Sequence, residues 1–195
     1  MRANAASAVA GPFPWRVVLL TGGILFGVMV FILMAATRLP FLLERIGVTS
    51  PGLIGVTLAL MTAASFPTGL FYGRVRARLE PRIIAALALG LMGAGYAVIA
   101  LAPTLGQVMA GIVVTGLGLG LIIPNQNVWL MAHVSQTARG RASGLMTTLL
   151  FAGQAISPLV SGALLIALDL RAVFSVFAAA ALAGALTLWI TGRTA

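Results

Sequence analysis

Six long apolar stretches separated by short polar ones organise this chain of 195 residues. A helix needs about 20 apolar residues to cross the hydrocarbon core of a bilayer. The pattern predicts such spans at 15–36, 52–73, 83–101, 107–131, 142–168 and 171–192, with a segment 1–14 before them and a tail 193–195 after. The connectors read "TRLPFLLERIGVTSP", "RVRARLEPR", "APTLGQ", "AHVSQTARGR" and "LDLR". In the first of these, "FLLERIG" is amphipathic: it either extends the first helix or lies on the membrane surface. The opening residues, "MRANAASAVAGPFPWR", are too weakly apolar for the h-region of a signal peptide, so the first span reads as a retained helix.

The spans differ in kind. The third and sixth are nearly featureless, with small residues suited to helix packing, whereas the second, fourth and fifth carry polar groups. The chain therefore reads as three helices, twice, with the plainest helix last each time. Pro67 in "ASFPTG" and Pro158 in "AISPLVSG" fall at similar depth in the second and fifth spans. An odd number of spans per set inverts the second set in the membrane. The expected fold is an all-α membrane protein of six transmembrane helices in two inverted three-helix repeats, and matching proline breaks in such repeats point to a binding region.

Helical spacing of three and four residues sorts the polar groups into faces. On the fifth span Ser143, Thr147, Phe151, Gln154, Pro158 and Ser161 form one stripe. An unpaired amide near mid-membrane costs several kcal/mol, so this stripe is expected to face protein, either as close packing or as the wall of a water-filled path. Thr57, Met61, Ser65, Thr68 and Tyr72 form a milder stripe on the second span, which packing explains equally well. The fourth span carries "PNQNVW" at 124–129. There Asn125 and Asn127 fall on opposite faces: Asn125 shares one with Gly111, Gly118 and Trp129, Asn127 shares the other with Gly116 and Gly120, and Gln126 lies between. Glycines on both faces predict two closely approaching neighbours. Pro124 frees the carbonyl one turn earlier. The amides either satisfy that loosened backbone or form a polar wall about 10 Å from the midplane, and Trp129 falls near the inner interface.

Composition settles the solvent. Hydrophobic residues make up 61% of the chain and charged residues 8%, against about 25% charged in soluble domains, so the partner is a lipid bilayer. The twelve arginines outnumber the three acidic residues, and no lysine occurs. The arginines sit in loops, so they read as topological and not as a nucleic-acid footprint. With both termini cytoplasmic, nine arginines (2, 16, 74, 76, 78, 82, 139, 141 and 193) lie inside and three (38, 45 and 171) outside. This places a multi-pass protein in the cell (inner) membrane. Without cysteine, and with His133 the single histidine, no metal site, cofactor site or catalytic residue is expected. No span centre carries a charged residue or a histidine, so a proton-coupling group is not expected on these helices.

"GLFYGRVRAR" at 69–78 resembles, in degenerate form, the glycine–aspartate–arginine loop signature of the major facilitator superfamily. Gly69 and Arg74 match, Gly73 stands where the family's aspartate is usual, and Arg76 where a second glycine is usual; Arg78 closes the motif. The degenerate copy is typical of the family's C-terminal half. "GLGLGLIIPNQNVWL", "ARGRASGL", "FAGQAISPLVSGAL" and "RLPFLLERIGVTSPGLIG" resemble its tenth helix, the loop after it, its eleventh helix and its seventh-to-eighth connector. The resemblance implies a drug-efflux-like permease moving a small solute or drug by alternating access. It implies a path lined by helices one, two, four and five, with three and six packed outside. Candidate path residues are Thr57, Ser65, Thr68, Asn125, Gln126, Asn127, Thr147, Gln154 and Ser161, with kinks at Pro67, Pro124 and Pro158. Family members contain two such bundles. The expectation is a truncated or fragmentary permease lacking its N-terminal six-helix half, or a chain that pairs with a separate half or with itself.

Other classes fit less well. A non-transporting assembly subunit is the nearest rival. An intramembrane protease would have to use Ser143 in "RASG" with His133 in a loop, and a channel would need a charged ring or carbonyl filter that is not visible.

Overall fold

Six helices account for nearly all of residues 13–193, which are the residues described by the computed structural model. They are α1 (Trp15–Arg45), α2 (Pro51–Arg76), α3 (Pro81–Leu101), α4 (Leu105–His133), α5 (Arg139–Ala167) and α6 (Leu170–Arg193), with a 3₁₀ turn at Gln136–Ala138. All six are long and apolar enough to cross a membrane, and the described residues contain no strand. The fold is an all-α membrane bundle. Arg2, with most of the segment 1–14, and the last two residues of the tail lie outside the described residues.

Local chemistry sets the helix ends. Pro51 and Pro81 stand at the first turn of α2 and α3, where a missing N–H is no loss. Asp169 caps α6 by accepting the Ala172 N–H at 2.7 Å. The α1–α2 connection closes in a Schellman motif. The Val48 N–H reaches the Leu43 carbonyl (2.9 Å) and the Gly47 N–H reaches that of Glu44 (3.0 Å), with Gly47 at φ 87°, where a side chain would be strained. That stop comes late. The stretch "FLLERIG" extends the first helix: α1 runs 31 residues through Pro40, about 46 Å at 1.5 Å per residue and so longer than the hydrocarbon core.

Packing follows the small residues. α1 lies along α5, α2 along α4, and α3 between α4 and α6, with a lighter contact of α1 on α4. Exchanging the two three-helix sets maps the α1–α5 pair onto α4–α2 and α3–α6 onto itself, as inverted repeats require. The exchange fails in one place: α3 packs tightly on α4, whereas α1 touches α6 only lightly. At α3–α4, Gly95 faces Gly111 and Thr115, and Gly118 faces the Ala88 carbonyl and Met92. At α1–α6 the space is filled by aromatic rings. Phe31 stacks on Tyr96 with centroids 5.7 Å apart and meets Phe177 edge-on at 5.2 Å. The Tyr96 hydroxyl donates to the Phe31 carbonyl at 2.6 Å.

Within this bundle α3 is the most enclosed helix, while α2 and α5 are the least covered. The reason is that α3 has two long neighbours, whereas α2 and α5 each pack along one.

Candidate functional site

The three adjacent amides of α4 meet three different fates. Asn125 is fully buried. Its Nδ2 donates to the Pro81 carbonyl at 2.8 Å, and its Oδ1 accepts the Tyr72 hydroxyl at 3.3 Å, so one side chain ties the end of α2 and the start of α3 to α4. Gln126 is fully buried as well, on the stripe of Val108, Ile112 and Leu119, yet neither of its amide atoms has a partner among the described residues. Such an orphan carries an unpaid desolvation penalty of roughly 1–3 kcal/mol. Asn127 is exposed, and its Nδ2 donates to the Ile123 carbonyl of its own helix at 3.1 Å.

Neither asparagine bonds the Gly120 carbonyl that Pro124 leaves without its usual donor, so the amides are not repairs to a proline kink. Gly120 lies instead against the Ser65 carbonyl and the Thr68 hydroxyl of α2, and Gly116 against the Met61 carbonyl. Two glycine faces, one for α2 and one for α3, thus hold α4 in the middle of the bundle. Trp129 is buried, and its carbonyl meets Nδ1 of the exposed His133 at 2.9 Å.

On α2, Thr57, Met61 and Tyr72 are buried and Ser65 and Thr68 half-buried, so the stripe does turn inward, against α4. Its serine and threonine hydroxyls bond within their own helix: Thr57 to the Leu53 carbonyl at 2.7 Å, Ser65 to that of Thr62 at 2.7 Å and Thr68 to that of Ser65 at 3.1 Å. Hydroxyls satisfied in this way can sit in an apolar seam at little cost. Pro67 is exposed and α2 continues through it. Gly69 is half-buried. Arg74 and Arg78 are exposed, the Arg74 guanidinium lying 5.2 Å over the Phe71 ring, and Arg76 donates to the Leu79 carbonyl at 3.2 Å.

The α5 stripe turns only partly into the bundle. Thr147, Phe151 and Pro158 are exposed, Ser143 and Gln154 half-buried, and only Ser161 is buried. The face that packs on α1 is Ala142, Met146, Gly153, Ser157 and Ser161, rotated away from the stripe read from the sequence. Close approach explains the shift: Gly153 lies against the Phe26 main chain, and the Ser157 hydroxyl donates to the Val30 carbonyl at 2.7 Å. A glutamine there would hold the helices apart. Gln154 stays at the edge, with Nε2 3.5 Å from the Met29 sulfur.

Arg38, expected in a loop, projects from α1. Its Nε donates to the Ser161 hydroxyl at 3.0 Å and its Nη2 to the Pro158 carbonyl at 3.3 Å. Ser157 and Arg38 are the residues sequence reasoning missed. Ser157 falls one position off the quoted stripe, beside Gly153 on the small-residue face, which is the signal that could have found it.

The contacts place α5, α1, α4 and α2 in a row, with the polar groups of α2 and α5 at its two ends. Asn125 and Tyr72 meet on one side of α4; Gln154, Ser161 and Arg38 gather between α1 and α5. Thr147 and Asn127 join neither group. No set of metal-ligating side chains occurs among the described residues.

Comparison with known proteins agrees with this architecture. The family model of the Major Facilitator Superfamily matches residues 19–195. The chain is also similar to the multidrug efflux pump Tap of Mycobacterium tuberculosis and of Mycobacterium bovis. Each is 31% identical over 124 residues, which is 64% of this chain and 30% of the relative's length.

Proposed function

The chain belongs to the major facilitator superfamily, and from that premise we propose that it is one six-helix half of a permease. In this reading it moves a small solute or drug by alternating access across the cell (inner) membrane, with both termini cytoplasmic. The observation that carries the proposal is the coverage of the row α5–α1–α4–α2. Its two end helices hold polar and small groups, yet each packs along a single neighbour. A second bundle, from an N-terminal half or from another copy of this chain, covers those faces, and rocking of one bundle against the other opens the site to alternate sides. Exposed Thr147 and Asn127 and half-buried Gln154, Ser65 and Thr68 line the path. Thr57, Asn125, Gln126 and Ser161 form its supporting wall, and Pro67, Pro124 and Pro158 mark where helices flex. The multidrug pumps to which the chain is similar favour a drug as cargo.

The test is co-reconstitution of the chain with a six-helix N-terminal half from a family member, following efflux of a fluorescent lipophilic dye from vesicles. Flux above empty vesicles is expected for the pair, or for the chain alone if two copies suffice. Gln154→Leu is expected to lower that flux roughly tenfold, the worth of one polar contact of about 1.4 kcal/mol, with assembly unchanged. Absence of flux in both arrangements, with the bundle folded, would favour a non-transporting assembly subunit.

A further inference from the structure

At the end of the bundle that holds the start of α1 and the end of α6, two cavities adjoin. One, of about 700 Å³, is lined by Arg74, Val75, Arg78, Leu79 and Leu87. The other, of about 390 Å³, is an apolar slot between α3 and α6 lined by Leu87, Gly90, Leu91, Leu186 and Trp189 among others. Leu87 lines both, so the arginine-lined mouth and the slot lie side by side along α3. We propose that this composite groove binds one acidic phospholipid, its phosphate between Arg74 and Arg78 and an acyl chain along α3 and α6.

The charge fits an anion. Both arginines are exposed, and no acidic residue lines the mouth; Glu80, in the same loop, lies outside it. Stacking on Phe71 orients the Arg74 guanidinium, and no hydrogen bond ties Arg78's guanidinium to the described residues. The depth fits as well. Leu87 lies six residues into α3, about 9 Å along the axis, at the level where headgroups give way to acyl chains. Trp189 lines the far wall near the end of α6, as tryptophan does at interfaces. Arg82 donates to the Thr191 carbonyl at 2.8 Å and pins α3 to α6 beside the slot. Basic pockets between helices on the cytoplasmic face are sites for acidic headgroups. The inference needs a membrane location but not the transport reading.

Native mass spectrometry of the detergent-purified chain, titrated with phosphatidylglycerol or phosphatidylcholine, tests it. The native chain is expected to hold phosphatidylglycerol at least about tenfold more tightly, since each arginine near a membrane surface attracts an acidic lipid severalfold. R74Q/R78Q should abolish that preference while leaving helix content unchanged. Gly90→Leu should weaken both lipids by filling the slot; a Cβ placed at Gly90 would have the Ala185 methyl 3.9 Å away, an ordinary contact. If Gly90→Leu proves unstable, Leu186→Asn on the exposed wall serves the same purpose. Equal retention of the two lipids, a preference that survives R74Q/R78Q, tight binding in slot variants, or displacement by inorganic phosphate as readily as by lipid would each overturn the proposal.

Discussion

The α1–α5 and α4–α2 pairs are counterparts under exchange of the two repeats, yet they handle polarity in opposite ways. Both set glycine against a neighbour's main chain: Gly153 against Phe26 in the first, Gly116 and Gly120 against Met61 and Ser65 in the second. In α4–α2 the hydroxyls turn back onto their own helix, and the pair meets through apolar and glycine surface with one tie from Tyr72 to Asn125. In α1–α5 the bonds cross between helices, from Ser157 to Val30 and from Arg38 to Ser161 and Pro158. Where two glycines share one face, the helices approach closely with a single side-chain tie between them. Where a single glycine, Gly153, meets the neighbour's main chain, serine and arginine complete the join.

The sharpest way to break the comparison is to remove what the pairs share. Gly120→Ala and Gly153→Ala each place a methyl against a main-chain oxygen that cannot move without its helix. Both are expected to lose about 3 kcal/mol, at the upper end of overpacking costs, in reversible unfolding from mixed micelles. Gly55→Ala, with nothing within 4 Å, is the neutral reference, and a harmless Gly120→Ala would refute the close approach of α2 and α4.

Next in size is Gln126→Leu. Since the amide has no partner among the described residues, its removal is expected to stabilise the bundle by about 1–2 kcal/mol. A concurrent fall in vesicle flux would mark Gln126 as a group retained for function at a cost in stability. A loss of stability would instead reveal a bonding partner.

Asn125→Leu follows. It breaks the ties to Pro81 and Tyr72, with an expected loss of about 1 kcal/mol. Tyr72→Phe in the Asn125→Leu background should add less than it does alone, and full additivity in that double-mutant cycle would mean the two side chains are not coupled. The smallest effect is expected at Ser157→Ala, about 0.6 kcal/mol for one hydroxyl bond between membrane helices. A much larger value would mean that α1–α5 depends on that bond more than on Gly153.

The six apolar stretches determined the number and order of the helices, because hydropathy acts residue by residue and every backbone group in lipid must be satisfied within its own helix. The two glycine faces of α4 were legible for a similar reason, since nothing but close approach uses glycine on both sides of a helix. The orientation of α5 was not legible. Thr147, Gln154 and Ser161 share a stripe by spacing, but which face turns inward is set by the smallest residues, Gly153 and Ser157, meeting the main chain of α1. Nor did spacing separate Asn125, Gln126 and Asn127 into a cross-helix tie, a buried orphan and an exposed self-bonded amide. Each outcome depends on what stands opposite, and only the assembled bundle places Pro81 and Tyr72 before Asn125 and leaves Gln126 without a partner among the described residues.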